Sequence, residues 1–566
     1  MRGTSACFLA LAVASVTVSP AIAFVSPPPH ASGCKAKGFS ARRAKTSLPV
    51  NVVSVDQPPQ ETNLPLPPRD ETFNPLAALR ELLAAPDVVE DVGRYDRVGS
   101  LSGGTWRSMI IGFIPATVVT FQQGAKWMAQ QEAAGNIYQE FPKTVVQILG
   151  EKALINLSLQ PQLHAIGRKP YSECLSPKAV LELQPYLETV VRRKLLKFES
   201  LAKSGQEVVV QDEMREFSME SIAGVFFGDY ATPDFVGNIK RYLPAISFGL
   251  FSFPVRFPWP LNQIPVFGFG RSMDAREAFK SDVLGVLDER RADLGSAKEG
   301  GSGGKSAGLL DSLIRIQQNQ VDTERGQDER FDDDFVFDNV ILSLFAGTDT
   351  TSVTLTRLLQ LLGTAEDGKK IVDMLLKELS NDATSGDDEL DDTMGTGSGG
   401  ASRAGIFGAF PLLDAVILET YRLHPAIPAV FRKTRVDVNY NGHLIPRGKV
   451  INWNLIHGLR AKSLYPEPKK FCPFRFMHGD KINEESAAAS ASPGEVPVEQ
   501  PPPPMFSLGR HMCPGRELAK LEMLLFLKEF LAKFDYELVE GQSFKGVLPV
   551  NEPRDKLRVI LKLKSA

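Results

Sequence analysis

The sequence predicts a mainly α-helical chain with a small β-rich side, an α+β arrangement. Three observations carry this. The segment from Asp333 to Leu362 is a long, largely apolar run with a polar interruption only at its middle. Residues 179–203 and 212–228 repeat apolar positions at helical spacing. Strand signals are confined to Val/Ile-rich pieces around Trp106 to Thr120 and to residues 434–453. The latter alternate Val/Ile with polar residues around Asn441-Gly442, a hairpin signature.

Composition narrows the function classes. The chain has 566 residues, enough for a substantial core. Its net charge of −3 gives no global pull toward nucleic acid. Five cysteines, Cys7, Cys34, Cys174, Cys472 and Cys513, are scattered without paired or CxxC spacing, which argues against a disulfide scaffold or a zinc site. The seven histidines form no HxxxH or HxH cluster, which argues against a histidine-ligated metal enzyme.

Residues 1–23 have the layout of a signal peptide: Arg2, an apolar run from Ala6 to Val18, and a small-x-small site at Ala21-Ile22-Ala23. Residues 24–55 lack acidic residues but carry Lys35, Lys37, Arg42, Arg43 and Lys45, a transit-peptide composition. Together they resemble the bipartite presequence of algae with secondary plastids, so a plastid location is expected. The alternative is the endoplasmic reticulum or secretory pathway. No later run reaches 18 clean apolar residues, and a conventional membrane span is not expected.

Residues 56–72 read as a Pro-rich linker into a domain over 73–566, with inserts near 295–307, 381–404 and 482–504. Phe73 to Leu83 reads as a first helix, and another follows Gln122. A further helix carries His164 and Arg168 on one face, and Pro170 is expected to interrupt it. The aromatic, Pro-broken stretch 246–259 cannot be a long helix, and exposing it is costly. Within 333–362, Ala346-Gly-Thr-Asp-Thr-Thr351 places an acid and hydroxyls in an apolar run. Such hydroxyls bond back to the preceding turn and open a groove for a small ligand. Phe410 to Leu423 reads as a helix whose Glu419 and Arg422 share a face; a buried pair of this kind needs a further partner.

The chain is organised around Phe506 to Met523. A phenylalanine, Gly509 and a lone Cys513 precede Gly515, which opens an amphipathic helix with Leu518, Leu521 and Leu525 on one face. A helix start offers free N–H groups and a positive dipole end to a thiolate.

This loop resembles the heme-ligand loop of the cytochrome P450 family, Phe-x-x-Gly-x-Arg-x-Cys-x-Gly, with His511 in place of the usual Arg and Arg510 beside it. The other motifs resemble the family's in the same order over roughly residues 70–566. The resemblance implies a mainly helical cytochrome P450 fold around heme b (iron protoporphyrin IX), with Cys513 as axial thiolate. It implies that His164, Arg168, Arg432, Phe506, Arg510, His511 and Gly515 form the heme site, the basic groups among them meeting propionates. It assigns Asp349 and Thr350 to dioxygen and its protons. Glu419, Arg422 and Arg475 become a structural cluster, although Phe474 stands where the family usually has Glu. Residues 246–259 are similar to a substrate-channel loop in the branch with retinoid hydroxylases, their cyanobacterial relatives and sterol demethylases, and there touch the bilayer.

The expected function is a monooxygenase inserting one oxygen atom, most simply as a hydroxyl, into a small apolar substrate of isoprenoid, carotenoid or sterol type. Electrons come from a separate donor such as ferredoxin or a reductase, since no flavin or nicotinamide domain is present. Arg516, Lys520 and Lys528 are candidate docking charges for it. Two alternatives are a dioxygen-independent isomerase or lyase of fatty-acid hydroperoxides, and a non-catalytic heme sensor. Asp349 and Thr350 count against the first, and the apolar access loop against the second.

Overall fold

The computed structural model describes residues 64–69, 105–110, 114–297, 308–321, 331–380, 410–477 and 504–564, apart from residues 251, 253, 265, 266, 463, 548 and 549. The leader 1–55, the helix expected over Phe73 to Leu83 and most of the three inserts lie outside the described residues.

The first described strands, β1 (Thr105–Ile110) and β2 (Ile114–Val119), pair antiparallel and lead into α1 (Phe121–Ala133), β3 (Ile137–Tyr138) and α2 (Lys143–Leu149). Helices then follow in series: α3 (Pro161–Cys174), α4 (Pro177–Glu182) and α5 (Gln184–Ser204). After the short strand β4 (Glu207–Val209) come α6 (Val210–Phe227), α7 (Pro233–Phe248), α8 (Phe269–Ala297) and α9 (Gly308–Val321). The long α10 (Asp333–Thr364), α11 (Gly368–Ser380) and α12 (Pro411–Leu423) complete the helical side.

Strand β5 (Ala429–Thr434), the hairpin β6 (Val438–Tyr440) and β7 (His443–Ile445), and β8 (Val450–Asn454) return the chain to the first sheet. Its order is β1-β2-β8-β5-β3, so strands about 300 residues apart in the sequence share one sheet. Asn441 and Gly442 at the hairpin tip have φ of 49° and 74°, the left-handed pair that the turn requires. The short α13 (Leu455–Leu459) precedes the cysteine loop, which runs into α14 (Arg516–Lys533). Strand β9 (Phe534–Leu538), the small pair β10 (Gly546–Val547) and β11 (Glu552–Pro553), and β12 (Arg558–Leu563) end the described chain. The three-stranded sheet β4-β12-β9 was not marked by a sequence signal.

Two local expectations are corrected. Pro170 does not stop its helix: α3 continues to Cys174, because Tyr171 is anchored through its hydroxyl to Ser343 Oγ (3.0 Å). Burial of Pro170 and Tyr171 against the core, together with that hydrogen bond, offsets the ~3 kcal/mol that an interior proline costs. The helix expected over 179–203 is instead two, α4 and α5, divided at Leu183. Pro185 lacks the N–H that would continue the first and suits the opening turn of the second.

Helix α10 is the axis of the core. Phe335 to Leu344 and Thr351 to Leu362 are buried along it, with Asp338, Asn339, Arg357 and Gln360 the charged or amide groups among them. It packs against α6 at Gly347, where an added Cβ would come 2.9 Å from Ile222 Cγ1. Among the described residues, no helix is long and apolar enough to cross a membrane.

Candidate active site

The loop before α14 is held by its own backbone. Cys513 N–H donates to Phe506 O (2.8 Å) and Met512 N–H to Gly509 O (3.1 Å). The turn needs left-handed backbone at Ser507 (φ 63°) and Gly509 (φ 69°), which glycine adopts freely and serine only at some cost. Leu518, Leu521 and Leu525 are buried as the spacing predicted, and they clamp the helix that follows.

Burial pushes the Cys513 thiol up, although the Gly515 N–H and the Arg168 and Arg516 guanidiniums draw it back. Burial thus works against the thiolate that the helix start favours, and a metal cation bound there would deprotonate such a thiol outright.

Around this loop lies a cluster of basic side chains. His164 on α3 is 4% exposed, and its ring meets that of His511 edge-on with centroids 4.7 Å apart. Burial, with His511, Arg510 and Arg168 nearby, pushes His164 down to about 4, and burial also lowers His511. Arg432 on β5 is 5% exposed. Arg510 donates to Ser158 O (3.1 Å). Arg168 donates to Met512 O (2.5 Å), bracing the cysteine loop.

One member of the cluster carried no sequence signal. Glu132, at the end of α1, is 3% exposed, and its Oε1 lies 3.1 Å from Arg432 Nε and 3.1 Å from His511 Nε2. Burial pushes this carboxyl up, but His511, Arg432 and Arg510 more than offset it and leave it below the usual carboxylate range.

In α10 the buried run is interrupted as the motif predicted. Ala346 is exposed, and Phe345, Gly347, Asp349 and Thr350 are half-buried within a helix otherwise enclosed on both sides. Thr350 Oγ1 donates to Ala346 O (2.7 Å), so the hydroxyl closes the preceding turn. Asp349 accepts from Arg215 Nε on α6 (3.0 Å), and Arg215 donates onward to Glu552 Oε2 (2.8 Å). Burial pushes Asp349 up while Arg215 pulls it down. Thr351 meets the buried carboxyl of Glu522 on α14, so the helix after Cys513 leans on α10 one residue beyond Thr350.

The expected structural cluster forms. Arg422 donates from Nε to Glu419 Oε2 (2.6 Å) and from NH2 to Oε1 (2.8 Å), both side chains being fully buried. Cys472 N–H (2.9 Å) and Arg475 Nε (3.2 Å) also donate to Glu419. The carbonyls of Leu459, Pro468 and Lys470 take the other Arg422 protons.

The family sequence model described as cytochrome P450 matches residues 168–554, well over half of the chain. The chain belongs to the cytochrome P450 family. Among similar proteins is the β-amyrin 11-oxidase of Glycyrrhiza uralensis, 27% identical over 75% of this chain and 76% of that one. An abscisic acid 8′-hydroxylase of Solanum lycopersicum is 25% identical over 80% of this chain and 81% of its own. The solved structure of the retinoic acid-bound cyanobacterial CYP120A1 superposes with a TM-score of 0.65 at 23% identity, covering 88% of this chain and all of that one. That likeness bears on the fold.

As a cytochrome P450, the protein is an oxygen-incorporating oxidoreductase whose cofactor is heme under a cysteine thiolate. The residues present fit that group. Cys513 is a soft ligand with N–H and guanidinium neighbours. The buried Arg510 Nε makes no hydrogen bond, which leaves a donor for a propionate oxygen beside the Arg432 guanidinium. One docking expectation fails: Lys520 is fully buried and paired with Asp414, so it presents no charge to a donor protein.

Proposed function

We propose that this cytochrome P450 hydroxylates a terpenoid-like substrate with electrons from a separate donor. The observation that carries the reading is the uncovered acid–alcohol break at Ala346 to Thr350 in an otherwise enclosed helix. Inserting one oxygen atom of O2 and releasing the other as water takes two protons and two electrons, so a monooxygenase needs a proton path inside a dry site.

Heme, when bound under Cys513, supplies dioxygen activation, the thiolate favouring O–O cleavage. The side chains supply the rest. His164, Arg432, Arg510 and His511 would hold the porphyrin by its propionates, and Phe506 and Gly515 would shape the cysteine loop that meets it. Arg168 steadies that loop at Met512 O. Thr350 Oγ1 holds a proton in the groove. Asp349, poised between burial and Arg215, replenishes it, with Glu552 at the outer end of the pair. Phe141, Pro142, Phe431 and Val450, with Glu140, Lys143, Arg432 and Lys433, line a groove of about 250 Å³ whose apolar and charged walls suit an amphipathic molecule.

The substrate class draws support from the relatives, whose names specify β-amyrin and abscisic acid, and from the retinoic acid in CYP120A1. Peripheral membrane contact through 246–259 is supported by Val255 and Trp259, 53% and 77% exposed. The acid-free basic tract at 24–55 supports a plastid address, and with it ferredoxin as donor.

The test is a reduced carbon-monoxide difference spectrum of the protein lacking residues 1–55, beside Cys513→Ser. A strongly red-shifted Soret band that the variant lacks is expected. Titration with β-amyrin, abscisic acid and retinoic acid should then give a spin-state shift with at least one. A histidine-like spectrum, or a response only to fatty-acid hydroperoxides without dioxygen, would overturn the reading.

A further inference from the structure

A buried carboxylate already sits among the basic side chains of this site. Glu132 arrives from α1, Arg432 from β5, and Arg510 and His511 from the cysteine loop. These are sheet, helix and loop segments that only folding brings together. The fully buried Glu419–Arg422 pair is a two-pronged match of acid to base. Here a single oxygen, Glu132 Oε1, stands 3.1 Å from both Arg432 Nε and His511 Nε2 and 3.8 Å from Arg510, and Arg510 Nε is left without a hydrogen-bond partner.

The charges do not balance either. The guanidiniums of Arg432 and Arg510 both face the one Glu132 carboxylate. The cluster is therefore shaped to grip a carboxylate and still short of negative charge. Arg432 also lines the 250 Å³ groove.

We propose that Glu132 is a positioning residue: its carboxylate presets Arg432, Arg510 and His511 to receive a heme propionate, and its charge then lowers the reduction potential of the iron. This rests on the heme-thiolate reading above. Before heme arrives, Glu132 offsets the repulsion between the two arginines and keeps their donors converged. Afterwards it is a fixed negative charge in a low-dielectric surrounding, which favours the more positive ferric state over the ferrous one. The acid lies outside the segment matched by the family model, which begins at residue 168.

The experiment compares the protein lacking residues 1–55 with its Glu132→Gln and Glu132→Asp variants, by redox titration, heme retention and circular dichroism. Glu132→Gln should shift the potential positive without moving the ferrous carbon-monoxide band, and should weaken heme retention by roughly 10- to 100-fold, as losses of outer-shell partners do. Glu132→Asp, which keeps the charge, should stay near the parent potential. If Glu132→Gln loses heme altogether while Glu132→Asp holds it, the positioning role stands. An unchanged potential in a heme-loaded Glu132→Gln protein overturns the proposal. So does loss of heme, or of the fold, in both variants, since shape rather than charge would then be required. A parent protein without the thiolate band would instead refute the reading of Cys513.

Discussion

Arg215 Nε stands 3.0 Å from Asp349 Oδ1, across the contact between α6 and α10. The acid of the α10 motif is thus held by a cation from another helix, and that cation is shared with Glu552. Burial raises Asp349 and Arg215 restrains the rise. Replacing Arg215 by Gln should leave Asp349 protonated to higher pH. The limb of the pH–rate profile that reports Asp349 should move in the alkaline direction, and Asp349→Asn should erase it. Asp349→Asn should also slow turnover on the order of 10²-fold, the scale of lost general-acid catalysis. The ferrous carbon-monoxide spectrum should be unaffected.

The fully buried Glu419–Arg422 pair predicts a large effect on stability. Removing one member strands a buried charge, at about 3–5 kcal/mol. Glu419→Ala should therefore lower the thermal midpoint and the heme content together. Arg422 ties α12 to the carbonyls of Leu459, Pro468 and Lys470, just ahead of the cysteine loop.

Asp338 offers a pH test of the fold. Burial, opposed by Arg276, pushes its carboxyl up to about 6 from a usual value near 3.8. Between those values the folded protein binds more protons than the unfolded chain. The stability this group contributes is thus complete below about 3.8 and is lost as pH rises through about 6, about 3 kcal/mol in all. Denaturant unfolding of Asp338→Asn should show a flatter pH dependence across that window than the parent.

How much of this was legible beforehand follows from where the partners lie. The Cys513 loop, the Ala346 to Thr350 break and the Glu419–Arg422 pair sit within a few residues of chain, and local spacing reveals them. Arg215 reaches Asp349 across 134 positions and Glu552 across 337, and Arg432 reaches Glu132 across 300. No periodicity links such distant pieces. Lys520 shows the opposite error: on a helix with apparent solvent charges it looked like a docking group, and packing against Asp414 enclosed it. Pro170 likewise marked a break that the Tyr171 anchor overrode.

Trp259 provides a reporter for membrane contact. It is 77% exposed, whereas Trp106 and Trp453 are buried. Its emission should shift to the blue when the protein meets anionic or neutral vesicles. Trp259→Ala should lower partition roughly tenfold, corresponding to about 1.5 kcal/mol for one large apolar side chain. Unchanged emission and partition would assign the aromatic stretch to the channel roof alone.

Gly347 predicts a steric effect with a defined rescue. An alanine Cβ would stand 2.9 Å from Ile222 Cγ1, closer than van der Waals contact allows. Gly347→Ala should cost on the order of 1–3 kcal/mol by overpacking. Ile222→Ala, which removes Cγ1, should return part of it in the same chain relative to the sum of the two single variants, as measured by denaturant unfolding.

The same contact separates two things that evolution can vary. Since Ile222 sits where a side chain at position 347 would be, the spacing of α6 and α10 at the motif is set by a missing atom. The aromatic stretch and the groove beside Arg432 can then drift in sequence without disturbing that spacing. A lineage built on this scaffold can exchange one greasy molecule for another while its oxygen chemistry stays put.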